Sequence, residues 1–312
     1  MRTARRHKVA LVGLGTMGLR HARVLAGLPE RFEVVGAYDL RAETRAPAGV
    51  ARLPGETEAF ARADVVVVAT PIGAHAGSVT RALAAGRHVL VEKPLCATAA
   101  DARALAAAAV RGGVRLFVGH SERFNPVVRT LARLVGAARG EHALAVDLRR
   151  VGPSRPTDVG VLVNLGVHDL DLAAYLCGGE VVLHSALGDD DRAHVLFRTT
   201  HGAVGHLHVD RTVPERRRSI ALATTSWIYE GDLLAHRLVR CARATGARTD
   251  VPLPLEEPLV AQAVALADAL DGAAPREIAT AIDGARAVAL AESAETLCAA
   301  RAAENLSALS HP

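Results

Sequence analysis

Short apolar runs alternate with amphipathic stretches through the first part of the chain, which is typical of strands that alternate with helices. The run Val65–Val68 is apolar on both faces, as expected of a strand buried in a parallel sheet. The predicted strands are Lys8–Val12, Glu33–Tyr38, Val65–Ala69, His88–Val91 and Arg115–Val118, and the predicted helices are Met17–Gly27, Ser78–Ala85 and Ala99–Arg111. This order predicts a doubly wound parallel sheet.

After about Glu122 the pattern changes to strands that follow one another with fewer helices. From Val204 to Asp210 apolar and polar residues alternate, with one slip near Gly205, which predicts an antiparallel sheet with one more polar face. The predicted helices are Asn125–Leu134, Leu165–Leu176, Pro258–Asp271 and Ala281–Ala303, and the predicted strands are Ala143–Arg149, Val181–Ala186, Ala193–Thr199, Ala203–Asp210, Ser219–Thr224 and Ser226–Tyr229. We therefore predict an α/β chain with a dinucleotide-binding domain at 1–122 and an α+β domain at 123–312.

Composition narrows the class of protein. The chain has 312 residues, of which 50% are apolar and 3% aromatic, so two cores would consist mainly of Val, Leu and Ala. The net charge of +4 is small, and no Lys/Arg-rich block with interleaved aromatic residues occurs, which argues against a nucleic-acid partner. The four cysteines are far apart, which predicts neither a metal site nor a disulfide framework; they are Cys96, Cys177, Cys241 and Cys298. No apolar run approaches the length of a membrane span, so we expect a cytoplasmic protein with no membrane partner.

The glycine-rich motif Gly13-Leu14-Gly15-Thr16-Met17-Gly18 follows the first predicted strand and opens a helix. In this context G-x-G-x-x-G predicts a dinucleotide site. Its first glycine permits a tight turn, its second lets the backbone approach a pyrophosphate, and its third allows close packing of helix and strand. To the cofactor we assign Gly13, Gly15, Thr16, Met17 and Gly18.

Asp39 ends the second predicted strand, where an acidic side chain accepts hydrogen bonds from the adenosine ribose. Its charge would repel a 2′-phosphate, so NAD is the predicted cofactor. Arg41 nearby keeps NADP open. The alternative is an ordinary glycine turn, with Asp39 as an unremarkable residue at a strand end.

Two further segments follow predicted parallel strands, near the edge where doubly wound sheets bind ligands. Thr70, Pro71 and His75 are assigned to the cofactor, although His75 is equally well explained as a surface histidine at a helix start. Glu92 and Lys93 are assigned to it as well. The chain has only two lysines among 37 basic residues, and a lysine retained here indicates a site that needs a compact ammonium or amine. The alternative is chance retention of one codon.

Asn164, His168 and Asp171 are spaced at i, i+4 and i+7 and would share one face of a helix. We assign them to catalysis, because His168 can transfer a proton near neutral pH. Alternatively, His168 is a core histidine with satisfied hydrogen bonds, and Asp169 or Asp171 is a charge that favours the helix dipole.

Taken together, five segments resemble the glucose–fructose oxidoreductase / inositol dehydrogenase / MocA (Gfo/Idh/MocA) family of NAD(P)-dependent oxidoreductases. They are GLGTMGLRHARVL at 13–25, VVVVATP at 65–71, HVLVEKPL at 88–95, GHSERFNP at 119–126 and GVLVNLGVHDLDLAAYL at 160–176. The resemblance implies a Rossmann domain followed by a domain with an open-faced, mainly antiparallel sheet. It implies that Lys93 orients or activates the reacting oxygen, that a cis peptide bond precedes Pro94, and that His168 transfers the proton. Sugars, nucleotide-linked sugars and cyclitols are the implied substrates.

The chain departs from the family at Asn164, where the family often has Asp. Asn cannot carry the charge that stabilises an imidazolium, and Asp171 is the candidate to supply it. We assign substrate contacts to Arg123, Asn125, Asn164 and His168. Alternatively, Asn125 starts a helix together with the proline that follows it.

The expected function is NAD(H)-dependent hydride transfer at a secondary alcohol or ketone of a sugar, nucleotide-linked sugar or cyclitol. One alternative is an NADPH-dependent ketoreductase of a nucleotide-linked deoxysugar. Another is a catalytically weak NAD-binding sensor or partner protein, which Asn164 keeps open. We also expect a homodimer or homotetramer, because a sheet with helices on one face leaves its other face to cover.

Overall fold

The computed structural model of the chain describes residues 5–135, 140–154 and 157–309, with the backbone alone over 304–309. Two compact units are formed. The first comprises the described parts of Met1–Ser121 and Glu257–Val288, and the second those of Glu122–Glu256 and Ala289–Pro312.

The first unit contains a parallel sheet with helices between its strands, which confirms the predicted doubly wound fold. Its strands are β1 (His7–Val12), β2 (Phe32–Tyr38), β3 (Val65–Val68), β4 (His88–Glu92) and β5 (Leu116–Gly119), and its helices are α1 (Thr16–Ala26), α2 (Glu56–Arg62), α3 (Ile72–Ala84) and α4 (Ala99–Arg111). The strands lie in the order β5-β4-β3-β1-β2. The order reverses between β1 and β3, where a doubly wound sheet opens a crevice at the carboxyl ends of its strands.

The second unit contains an eight-stranded sheet, in the order β13-β12-β11-β10-β6-β9-β8-β7. Its elements are α5 (Pro126–Leu134), β6 (Ala145–Val151), α6 (Val167–Cys177), β7 (Val181–Gly188), β8 (Arg192–Thr199), β9 (Val204–Asp210), β10 (Arg217–Ala223), β11 (Trp227–Asp232), β12 (Arg237–Ala242) and β13 (Arg248–Asp250). Neighbouring strands are antiparallel except β6 and β9, so the mainly antiparallel prediction is confirmed. α6 packs against β6, β7 and β9, and the core there includes fully buried Leu148, Leu170 and Leu207.

After the second sheet the chain continues with α7 (Pro258–Leu270), β14 (Ala279–Thr280) and α8 (Ala281–Leu309). α7 packs on α1, and β14 pairs with β5 in the antiparallel direction. Residues 257–288 therefore belong to the first unit. Hydrophobic periodicity does not show this return, because it reports which residues are buried and not which core buries them.

The slip in the apolar–polar pattern near Gly205 does not interrupt β9, which pairs with β6 and β8 from Val204 to Asp210 without a register shift. Val204 points outward and is 61% exposed, whereas Gly205 takes the inward position. A Cβ at Gly205 would lie 2.0 Å from the ring of Phe197, which explains why glycine occupies an inward position. The ring of Phe197 on β8 fills the space that a side chain at Gly205 would otherwise occupy.

Element boundaries differ where the sequence signal is weak. α3 begins at Ile72, earlier than predicted, because Gly73 and Gly77 lower the helical signal of its first turns. α2, β12, β13 and the two-residue β14 were not predicted. α2 has only seven residues, and all three residues of β13 are exposed. Over the described part of the chain, no helix is both long enough and apolar enough to cross a membrane.

Candidate cofactor site and active site

The loop between β1 and α1 has the shape that a dinucleotide requires. Gly13 has φ +95°, and a Cβ there would lie 2.6 Å from the carbonyl of Ala69. A Cβ at Gly18 would lie 2.0 Å from the Gly13 oxygen. At Gly15, by contrast, a Cβ would meet nothing within 4 Å. Gly13 and Gly18 are therefore needed for packing, whereas Gly15 leaves open space beside the backbone, where a pyrophosphate fits.

The first turn of α1 faces this loop with its N–H groups. The helix begins at Thr16, with Met17 next; no described side chain caps it at Gly15, and its first turn contains no acidic residue. The positive end of the helix dipole is thus available to an anion. The assignment of Thr16 and Met17 to the cofactor stays a prediction.

Asp39, directly after β2, is tied to the glycine loop. One carboxylate oxygen accepts a hydrogen bond from the Leu14 N–H at 2.7 Å, and the other accepts from the Arg41 N–H at 2.9 Å. Burial raises the pKa of Asp39, but these N–H donors and the Arg41 side chain outweigh it, so the pKa is lowered. The side chain of Arg41 is 62% exposed and lies 3.4 Å from the carboxylate. The acid is therefore ionised and fixed beside the loop, as recognition of a ribose requires.

Thr70 and Pro71 follow β3, and His75 lies in the first turn of α3. The ring of His75 is only 1% exposed, so its interpretation as a surface histidine was wrong. Its Nδ1 lies 2.8 Å from the Pro94 carbonyl oxygen, and its Nε2 lies 2.9 Å from that of Thr70. The Thr70 hydroxyl is buried and has no hydrogen-bond partner among the described residues. Buried polar atoms are usually hydrogen-bonded, so this hydroxyl is a candidate to bond the cofactor.

Lys93 is half-buried at the end of β4, and the Lys93–Pro94 peptide bond is cis, as the resemblance implied. The backbone N–H of Lys93 donates to the Glu92 carboxylate at 3.3 Å. That carboxylate also lies 2.7 Å from Nε2 of His21, on the buried face of α1. Sequence reasoning missed His21. Two features of the sequence could have indicated it: His21 falls on the apolar face of its helix, and Glu92 is an acid at the end of an apolar strand.

His168 lies at the start of α6, directly after a π-helical turn over Leu162–Gly166. Asn164 lies inside that turn, where the backbone is wound differently from an α-helix. The predicted i, i+4 spacing therefore does not place its side chain on the same helix face as His168. Asn164 is buried, whereas His168 is half-buried. Single π-helical turns inside helices occur often at functional sites, and here the turn directly precedes the predicted proton-transfer residue.

The structure brings Arg123 and Asp171, both predicted site residues, together in one buried ion pair. Two guanidinium nitrogens of Arg123 donate to the carboxylate at 2.7 and 2.5 Å, and the guanidinium lies 4.9 Å from the centre of the Tyr175 ring. This bidentate pair fixes the side of α6 that follows His168. The two assigned roles, catalysis and substrate contact, stay predictions.

Asn125 caps α5, as the alternative interpretation proposed. Its side-chain oxygen accepts from the Val127 N–H at 3.0 Å, and its amide nitrogen donates to the Leu233 carbonyl at 2.9 Å. Pro126 occupies the first helical position, for which its fixed φ is suited. Both ends of this buried amide therefore contact the backbone, and its contact with substrate stays a prediction.

Sequence reasoning missed a second buried charge network beside α6. Arg150 on β6 donates to Asp169 at 2.6 Å and to Glu122 at 3.2 Å, and Arg218 donates to Glu122 at 2.7 Å. Burial raises the pKa of Glu122, but the two guanidinium groups outweigh it and lower the pKa. The prior interpretation of Asp169 as a helix-start charge is therefore incomplete, since Asp169 pairs with an arginine of the sheet. Within the described ranges, no group of His, Cys, Asp and Glu has the arrangement of a metal site.

Comparison with known proteins agrees with this geometry. The model of an oxidoreductase family with an NAD-binding Rossmann fold, GFO/IDH/MocA, matches residues 7–120. The model of the GFO/IDH/MocA C-terminal domain matches residues 100–229.

Similar proteins span most of the chain. UDP-N-acetylglucosamine 3-dehydrogenase of Acidithiobacillus ferrooxidans is 29% identical over 259 residues, which cover 78% of this chain and 80% of that protein. Its solved structure matches with a TM-score of 0.85 at 25% identity, covering 94% of this chain and 98% of that one. The scyllo-inositol 2-dehydrogenase (NAD(+)) of Bacillus subtilis (strain 168) is 27% identical, over 78% of this chain and 79% of that protein. GenD2 from gentamicin A biosynthesis, solved in complex with NAD, matches with a TM-score of 0.80 at 26% identity, over 96% of each chain.

Proposed function

Because this chain belongs to the GFO/IDH/MocA family of NAD-binding oxidoreductases, we propose that it transfers hydride between NAD and a secondary alcohol or ketone of a sugar, nucleotide-linked sugar or cyclitol. The observation that carries the proposal is the shape of the cradle formed by the glycine loop between β1 and α1 together with Asp39. There the open side of Gly15 and the ionised Asp39 fit a dinucleotide. Lys93 follows the neighbouring strand β4.

The glycine loop and Asp39 would hold NAD, which when bound would supply the hydride-transfer chemistry. In this proposal the Lys93 ammonium donates a hydrogen bond to the reacting oxygen, which lowers the cost of negative charge on it. His168 takes the hydroxyl proton in the oxidation and returns it in the reduction. Asn164 contributes a neutral amide that can orient a hydroxyl group, but it cannot stabilise a protonated His168 as a carboxylate would. Asp171 already pairs with Arg123, so that ion pair reduces the charge it would offer to an imidazolium.

The proposed substrate class rests on relatives whose names specify a nucleotide-linked sugar, a cyclitol and the sugar D-apiose. A ketoreductase of a nucleotide-linked deoxysugar that uses NADPH is the second candidate, and the exposed side chain of Arg41 favours it. A weakly catalytic NAD-binding sensor is the third, since Asn164 replaces the acid frequent in the family.

Absorbance of the reduced cofactor, measured with a panel of UDP-N-acetylglucosamine, inositols and D-apiose, tests the proposal. NAD-dependent turnover of one of these compounds is the expected result. Tight binding of NAD without turnover in either direction would contradict the enzyme proposal and favour the sensor. Asn164→Asp is the informative variant, because a gain in rate would identify the neutral amide as the limiting feature, whereas a loss would show that the site requires it.

We also propose that the protein is a cytoplasmic homodimer or homotetramer. The face of the second sheet opposite α6 presents exposed apolar side chains; they include Val182, Leu196, Val204 and Ile228. Burying such a face against a second copy removes apolar surface from water.

A further inference from the structure

A buried carboxylate lies next to Lys93 and connects it to helix α1. Glu92 is 8% exposed; its carboxylate lies 2.7 Å from Nε2 of His21 and accepts the backbone N–H of Lys93 at 3.3 Å. Burial raises the pKa of Glu92, but the hydrogen bond and charge of His21, with the charge of Lys93, outweigh it and lower the pKa. Glu92 is therefore ionised, and His21 holds it in place.

A second buried histidine contacts the chain on the other side of Lys93. Both ring nitrogens of His75 face carbonyl oxygens, those of Pro94 and Thr70, at 2.8 and 2.9 Å. A carbonyl oxygen only accepts, so a neutral ring holds one of the two and a protonated ring holds both. Burial lowers the pKa of His75, and this effect outweighs the two carbonyls and the charge of Glu92, which raise it. A protonated ring, or a neutral ring with its proton on Nδ1, ties α3 to the Pro94 carbonyl beside Lys93.

We propose that His21 and His75 are positioning residues for the Lys93 ammonium. The flexible lysine side chain loses rotamer entropy when it is held in place, so a fixed backbone helps to hold its ammonium at one point. His21, through Glu92, fixes the N–H of Lys93, and His75 fixes the carbonyl of Pro94. The proposal rests on the catalytic role proposed above for Lys93. The two histidines act through the backbone and through Glu92, not on the reacting atoms.

The two-lysine composition of the chain makes a direct test possible. Protein labelled with ¹³C at the lysine ε-carbon reports Lys8 and Lys93 alone, and Lys8→Arg leaves the Lys93 signal by itself. Titration of that signal measures the pKa and the environment of the ammonium in the absence of NAD and substrate. The measurement is thus independent of enzyme activity.

His75→Phe and His21→Phe keep a ring of similar size and remove its donors. We expect both variants to shift the Lys93 signal and to lower kcat by about tenfold to a hundredfold, as a small misplacement of a reacting group does. The loss in kcat should exceed any change in the dissociation constant for NAD, which is measured separately because His75 and Glu92 were also assigned to the cofactor. His75→Gln and His21→Gln, which restore an N–H donor, should recover most of the rate.

Two further variants complete the test. Glu92→Gln removes a negative charge beside the ammonium and should lower the pKa of Lys93 by about one unit. His88→Phe removes a ring at the opposite end of β4, where Nδ1 accepts the Arg115 N–H, and should leave the Lys93 signal and kcat unchanged.

A Lys93 signal and pKa that stay unchanged in folded, NAD-binding His21→Phe and His75→Phe would overturn the proposal. If the Phe variants do not fold, an unchanged Lys93 pKa in Glu92→Gln would overturn it instead. An inactive Lys93→Arg with unchanged signals in the histidine variants would overturn the positioning role alone. A fully active Lys93→Arg would overturn the catalytic role of Lys93, and the positioning role of the two histidines, which depends on it, would fall as well.

Discussion

At the scale of single residues, we propose that Asp39 governs the choice between NAD and NADP. Its carboxylate accepts N–H groups from both the glycine loop and Arg41, and its lowered pKa keeps it charged near neutral pH. A 2′-phosphate placed beside this fixed negative charge would be repelled. Most of the Arg41 side chain is exposed to solvent, although its Nε lies 3.4 Å from the Asp39 carboxylate.

We predict that the wild-type protein binds NAD more tightly than NADP. Asp39→Ala should weaken NAD by about tenfold, the typical effect of losing a hydrogen bond to a charged group, and should reduce the discrimination against NADP. Calorimetric titration with both cofactors measures this, and Arg41→Ala is the matched control. Tighter binding of NADP by the wild type would reverse the assignment and identify Arg41 as a phosphate ligand.

Lys93 is the residue whose chemistry the sequence marks most clearly. We predict that Lys93→Arg loses about 100- to 10,000-fold in kcat, the range for a positioned acid, base or polarising group, while it still binds NAD. The guanidinium keeps the charge, but it is larger and planar and does not release a proton. Steady-state kinetics with Lys8→Arg as control provide the test. Turnover within about threefold of wild type would remove Lys93 from the mechanism.

At the scale of elements, the turn from β1 into α1 separates glycines needed for packing from the glycine needed for the cofactor. We predict that Gly15→Ala folds with nearly unchanged stability and loses affinity for NAD, because its Cβ meets no protein atom within 4 Å but occupies the open cradle. Gly18→Ala should instead lower the midpoint of thermal unfolding, because its Cβ would lie 2.0 Å from a backbone oxygen. Equal NAD affinity in Gly15→Ala and wild type would place the pyrophosphate elsewhere.

The buried network beside α6 makes stability depend on pH. The folded pKa of Glu122 lies below its ordinary value of 4.5. Its stabilising contribution is therefore complete above that value and is lost as the pH falls through the folded pKa. We predict that Glu122→Gln costs about 1–3 kcal/mol at neutral pH, because it removes the carboxylate that Arg150 and the partly exposed Arg218 share, while Arg150 keeps its pair with Asp169.

The difference between Glu122→Gln and wild type should then shrink as the pH falls below 4.5. Urea unfolding at neutral and acidic pH measures both values. Glu58→Gln is the control, since it breaks an exposed ion pair with Arg62 one helical turn away. Such pairs contribute only about 0.3–0.5 kcal/mol to the free energy of unfolding. A difference that does not change with pH would show that Glu122 is not ionised in the folded protein.

At the scale of the whole molecule, the uncovered face of the second sheet determines the assembly that we expect. We predict a dimer or tetramer mass by light scattering at micromolar concentration. Leu196→Arg should lower that mass, because it replaces an exposed apolar side chain of this face with a charge. Leu234→Arg is the matched control, since Leu234 is equally exposed, at 46%, but lies in the turn after β11. A monomer mass for the wild type would contradict the prediction.

The sequence by itself determined the parallel sheet, the glycine loop and the segment that contains Lys93. Strand burial, turn geometry and an acid or lysine at a strand end are local properties, which a few neighbouring residues specify. β13 escaped prediction because its three residues are all exposed, and β12 because Leu238 is its one fully buried residue, so neither strand shows a hydrophobic period. Only the tertiary structure joined 257–288 to the first sheet, paired Arg123 with Asp171, and buried His21 and His75 around Lys93. Those partners are far apart in the sequence, and the identity of a buried partner depends on which elements pack together, which no single segment records.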